Sequence, residues 1–175
     1  VSLFIVALLA RIYLDKPPHY EQALLTDALA VDVLKTGGTS SPFEVGLDNL
    51  RQRRFDEAVA AFETALEQSP ESFQAHYYLG VAYLAKGEPK WWQRKAFSES
   101  ETAAAIATLQ HALALAGDNP FYRENCHWLL AKARLRQQQI SLAISHWQAI
   151  VDLPAADLTY RSKARELVSR YQTTR

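Results

Sequence analysis

The side chains that could do chemistry in this chain are few and scattered. There is no Gly-rich loop followed by Lys and Ser or Thr, no HExxH pair and no CxxC pair, so the spacings that build phosphate, zinc or redox sites are missing. Cys126 is the single cysteine and lies in an apolar helical run. It reads as a small buried hydrophobe, cannot close an internal disulfide and does not fix a compartment. His111 and His127 straddle a turn and could approach, but their spacing defines no metal site. Asp15, Glu21 and Asp27 could be gathered by helix contacts, yet acids on exposed helices need no catalytic explanation. The expectation is a non-enzymatic chain with no catalytic residue, metal or cofactor.

The densest local chemistry is the run Lys90, Trp91, Trp92, Gln93, Arg94, Lys95 and Phe97. Aromatic rings offer broad contact area, and the neighbouring cations can meet acidic side chains or phosphates. Two readings stand side by side: this segment grips a partner, or one Trp pins it to the body while the cations keep it solvated. The basic stretch Tyr160 to Arg175 lacks an RNA-recognition motif and reads as a solvated end.

Bulk composition narrows the partner class. Lys plus Arg and Asp plus Glu number 19 each, leaving a formal net charge of zero, so no whole-molecule field favours nucleic acid or an anionic membrane. With 49% apolar and 22% charged residues over 175 positions, the chain can bury a substantial core without staples. The opening run Val1 to Ala10 is uncharged but is interrupted by Arg11, whereas a bilayer span needs about 20 mostly apolar residues. It is read first as a core helix, with the remaining end of a membrane segment or another anchor as alternatives. The expected location is cytoplasmic, with a membrane-tethered precursor left open, and neither nucleic-acid binding nor direct membrane insertion is expected.

The elements that must position these residues repeat. Gly46 and Gly80 stand 34 residues apart, each after an apolar residue, Val45 or Leu79. One helix later, Ala58, Phe62 and Ala65 show spacings of four and three that recur in Ala105, Leu109 and Ala112 and in Ala143, Trp147 and Ile150. Ala23, Asp27 and Ala30 are a weaker copy. Such spacings put the residues on one helix face, where small side chains let a neighbour approach.

This pattern resembles the tetratricopeptide repeat. The residues that carry the likeness are Val45, Gly46, Ala58, Phe62, Ala65 and Pro70 in one unit and Leu79, Gly80 and Tyr83 in the next. The resemblance implies an all-α fold: a right-handed superhelical stack of antiparallel helix pairs. Residues 1–175 are read as a single such domain with repeats 3–36, 39–72, 73–120 and 121–155 and a capping helix 156–172. That makes nine helices, four pairs and a cap. The interval from Gly80 to Ala105 is longer than that from Gly46 to Ala58, so the third unit carries an insertion at 88–102. It is either a surface loop or an N-terminal extension of the following helix. The extension is preferred because Pro89 suits a helix start and no later Pro or Gly appears before Gly117.

Carrying the family's helix phase onto this sequence places Arg11, Phe43, Leu47, Arg51, Tyr77, Val81, Trp128, Lys132 and Arg136 on a concave inner face. With Trp91, Trp92, Arg94 and Lys95 of the insertion they form the expected partner-binding set, suited to an amphipathic peptide with acidic flanks. The subclass that clamps a C-terminal carboxylate uses a basic residue and an amide where Phe43 and Leu47 stand, so that specificity is not carried over. The expected function is an adaptor or assembly factor that binds a peptide or helix. The alternatives are a structural module of a larger membrane-associated or multiprotein complex, or the accessory domain of an enzyme.

Overall fold

A computed structural model describes residues 41–89 and 96–173. The first unit, 3–36, with Arg11, and the insertion residues Trp91, Trp92, Arg94 and Lys95 lie outside the described residues. Within them the fold is all-α, a seven-helix repeat arrangement of adjacent pairs consistent with a tetratricopeptide-like superhelix: α1 Pro42–Arg51, α2 Phe55–Gln68, α3 Phe73–Lys86, α4 Glu99–Leu115, α5 Pro120–Arg136, α6 Ile140–Asp152 and α7 Arg161–Thr173. Each helix packs on the next, and α3, a first helix, also touches the first helices α1 and α5 on either side.

The helix starts follow local chemistry. Ser41 caps α1 in a reciprocal box with Glu44, and Pro42 takes the first turn, where its missing N–H costs nothing. Asn119 accepts from the N–H groups of Phe121 and Tyr122 ahead of α5, again with Pro at the first position. α4 ends at Leu115, and Gly117 follows with φ +53°, the left-handed residue that closes many helices.

The turns α1–α2 and α5–α6 are copies of one another. Arg53 and Gln138 occupy the same place with φ 59° and 58°. Arg54 N–H bonds the Asn49 carbonyl at 2.9 Å, and Gln139 N–H bonds the Arg134 carbonyl at 2.8 Å. Even the side chains match with the donor exchanged: Arg54 Nε donates to Asn49 Oδ1, whereas Arg134 Nη1 donates to Gln139 Oε1, both at 2.9 Å. The insertion replaces this turn between α3 and α4.

Two expectations need correction. The insertion does not extend α4 back to Pro89: the helix begins at Glu99, with Ser98 in extended backbone before it. Ser98 N–H instead bonds Gly87 O at 3.0 Å, which closes the insertion at its base. The last helix begins at Arg161, not near Ala156, because the backbone N–H groups of Thr159 and Tyr160 are held by the Glu124 carboxylate.

Glycine is required where the two helices of a pair meet. A Cβ on Gly46 would lie 2.6 Å from the Phe62 ring, and one on Gly80 2.6 Å from Leu109. Two apolar clusters result. One gathers Leu50, Phe62, Val81, Leu84 and Leu109 with Leu129 and Leu130; the other gathers Trp128, Trp147, Leu167 and Tyr171 with Phe97. α5 supplies both, which is why it is buried on nearly every side.

Candidate partner-binding surface

The first helices carry equivalent residues in rows. The offset between the two matched turns relates Phe43 to Trp128, Leu47 to Lys132 and Arg51 to Arg136, and the repeat period relates Phe43 to Tyr77 and Leu47 to Val81. One row is therefore aromatic throughout: Phe43, Tyr77 and Trp128.

The aromatic row is supported from within the fold. Phe43 leans on Phe62 and Tyr78, with ring centroids 5.7 and 5.8 Å apart. Tyr77 meets Tyr78 edge-on at 5.2 Å and stacks on Phe73 at 5.9 Å. Trp128 stacks on Tyr160 at 4.5 Å with the rings nearly parallel. Phe43 and Tyr77 are half-buried, whereas Trp128 is 4% exposed. Burial pushes the Tyr77 hydroxyl well above the usual phenol range, so it acts as a neutral hydroxyl.

The remaining positions divide sharply. Leu47 and Val81 are buried core residues. Arg51 is exposed beside Asp48, 3.8 Å away. Lys132 is 3% exposed, with Nζ 5.4 Å from the Trp128 ring centroid. Arg136 is also buried: it donates to Leu84 O at 2.6 Å and Glu88 at 2.8 Å, and its guanidinium lies 4.5 Å from the Phe97 ring centroid. Lys132 and Arg136, expected as partner-binding cations on the concave inner face, are thus inside the fold. For Arg136 the reason is its contacts with Glu88 and Phe97, at the two described ends of the insertion.

Several arrangements join residues that the repeat pattern does not single out. Phe73 and Tyr122 stack at 4.1 Å across α3 and α5, next to Phe121, which is 51% exposed. Their only sequence signal is an aromatic residue just after the cap residues Ser72 and Asn119. The histidines also pair differently from expectation. His111 stacks on His76 at 4.1 Å, while His127 Nδ1 lies 3.1 Å from His146 Nδ1.

Around α3 and α4, Lys86 bridges Asp56 at 2.8 Å and Glu101 at 3.8 Å. Hydrogen bonds from Ser100 and Ser98 hold the Glu101 carboxyl down at about 2, with Lys86 assisting. Burial raises the Cys126 thiol to about 12, so it is a protonated packing group. Among the described residues, no group of three or more His, Cys, Asp or Glu side chains is arranged to hold a metal, and no helix is long and apolar enough to cross a membrane.

The family model of the tetratricopeptide repeat matches residues 45–90, the stretch that holds Gly46, Phe62, Gly80 and the aromatic positions of α3. A tetratricopeptide-repeat motif is present over this part of the chain. No curated protein matches the chain. The tetratricopeptide-like fold fits a non-enzymatic module of protein-binding, scaffold character, and repeats of this kind have a general capacity to bind proteins and peptides.

Proposed function

We propose that this chain is an adaptor that holds a peptide or a helix across the first helices of its pairs. The observation that carries the reading is the aromatic row, Phe43, Tyr77 and Trp128, set at equivalent positions on helices that lie in succession. Recurring aromatic anchors with a cation at the margin suit an amphipathic guest with acidic flanks. Among the described residues, Arg51 is the exposed cation of the set. The proposal takes residues 1–175 as one domain with repeats 3–36, 39–72, 73–120 and 121–155, capped by α7, Arg161–Thr173. It assigns Arg11 to the same inner face and Trp91, Trp92, Arg94 and Lys95 to a second contact. Phe43 and Tyr77 are the half-buried rings of the row, whereas Trp128, Leu47, Val81, Lys132 and Arg136 shape and back the surface rather than offer themselves freely.

The test is selection of binders from a displayed peptide library with the intact protein, followed by affinity measurement on variants. Arg51→Glu changes an exposed side chain and leaves the core intact; it is expected to weaken acidic-flanked binders about 10-fold. Tyr77→Phe keeps the ring and should bind as before, whereas Tyr77→Ala should lose binding. Enrichment of peptides indifferent to Arg51→Glu, Tyr77→Ala and Trp91→Ala/Trp92→Ala would reject both contact patches.

A second reading, a structural module within a larger assembly, is favoured by the exposed aromatics Phe121 and Tyr122 next to Phe73. Phe121→Ser would disrupt that assembly while leaving peptide affinity unchanged.

A further inference from the structure

The pairing of His127 with His146 is used by neither the repeat architecture nor the peptide-binding reading. It joins α5 to α6, the hairpin on which α7 rests, and does so in a covered place: His127 is 8% exposed and His146 is half-buried. With 3.1 Å between the two Nδ1 atoms, one ring donates its N–H to the lone pair of the other. The pair therefore holds a single proton between its facing nitrogens.

One added proton can sit on the donor ring's free Nε2 and keep the shared N–H···N bond. A further one, on the acceptor's Nδ1, would set N–H against N–H at that distance and gather positive charge in poorly solvated surroundings. The charged groups around the pair make this worse. Arg123 on α5 acts on His127, and Arg134 on α5 acts on His146. The nearest carboxylate in sequence, Glu124, is engaged by the backbone of Thr159 and Tyr160. On α4, His111 is stacked against His76 of α3. On α6, Asp152 accepts from Gln148; on α7, Lys163 and Arg170 are paired with Glu166.

We propose that the His127–His146 pair is an acid-sensitive latch: protonation of the second ring separates α5 from α6 and loosens the C-terminal end of the stack. Burial is the first cause of the low basicity of both rings, each titrating near 4, with His146 and Arg123 adding to it at His127 and Arg134 at His146. The sign follows from linkage. The folded rings bind protons more weakly than the unfolded ones, whose value is about 6.5. The contribution of the neutral pair is therefore complete above that value and is lost as pH falls towards 4.

The test compares the wild-type protein with His127→Asn/His146→Asn, in which two amides keep a donor and an acceptor near the Nδ1 positions but cannot titrate. Between pH 7 and pH 4.5 the wild-type melting temperature is expected to fall by about 5 °C more than that of the double variant. Hydrogen exchange, corrected for intrinsic rates, should show the added opening in α6 and α7 before α1 to α3. Equal acid losses in both proteins would overturn the proposal. Should the double variant fail to fold, an NMR titration of the wild-type histidine rings decides: values below about 5.5 for His127 and His146 support the latch, and ordinary titration near 6.5 overturns it.

Discussion

Single residues set the closest contacts in this fold, and their consequences are separable. Gly46 faces the fully buried ring of Phe62 with no room for a methyl group. Gly46→Ala gains about 1 kcal/mol of helix propensity, but the ring cannot withdraw, and overpacking costs about 1–3 kcal/mol. The expected net effect is a destabilisation of about 1 kcal/mol, read by urea denaturation. Arg53 is the opposite case. It holds φ 59°, a region in which a side chain is strained and glycine is not. Arg53→Gly should therefore stabilise the chain by a few tenths to about 1 kcal/mol in the same measurement. Part of this was legible in the sequence: the 34-residue spacing of Gly46 and Gly80 marked equivalent positions in successive first helices, whereas the left-handed backbone of Arg53 leaves no mark in its residue type. The His127–His146 pair was not legible, since it depends on the register of two helices across a turn.

At the scale of the element, α5 decides how the end of the stack is built. Its apolar residues serve both core clusters, and its buried polar residues tie down the segments around it: Arg136 receives the insertion, and Glu124 holds the start of α7. Glu124 is 1% exposed and accepts from two backbone N–H groups at 3.1 and 2.5 Å. Glu124→Ala would leave both donors unpaired, and bonds to a charged group contribute about 1.5–3 kcal/mol each. The expected result is a loss of about 3 kcal/mol, with hydrogen-exchange protection lost first in α7. This contact also explains why the last helix starts later than its periodicity predicts. Helical periodicity was present from about Ala156, but a carboxylate distant in sequence holds Thr159 and Tyr160 outside the helix. The burial of Arg136 has a similar cause, since its contacts with Glu88 and Phe97 join positions distant in sequence.

At the scale of the whole molecule, the described helix pairs supply a repeated surface. Its long dimension is written by repetition, as the two matched turns and the aromatic row show. Acid should act on it unevenly. The Glu101 carboxyl is held low by Ser100, Ser98 and Lys86, so its stabilising share is present above about 4.5 and is lost as pH falls towards 2. The histidine latch responds at higher pH, and a fall in stability above about pH 4.5 therefore reports on α5 and α6. A guest lying across the first helices leaves a hydrogen-exchange footprint, which a library-selected peptide on the intact protein would reveal. Added protection is expected in α1, α3 and α5 around Phe43, Tyr77 and Trp128. Protection confined to α2, α4 and α6, with those three positions unchanged, would contradict it.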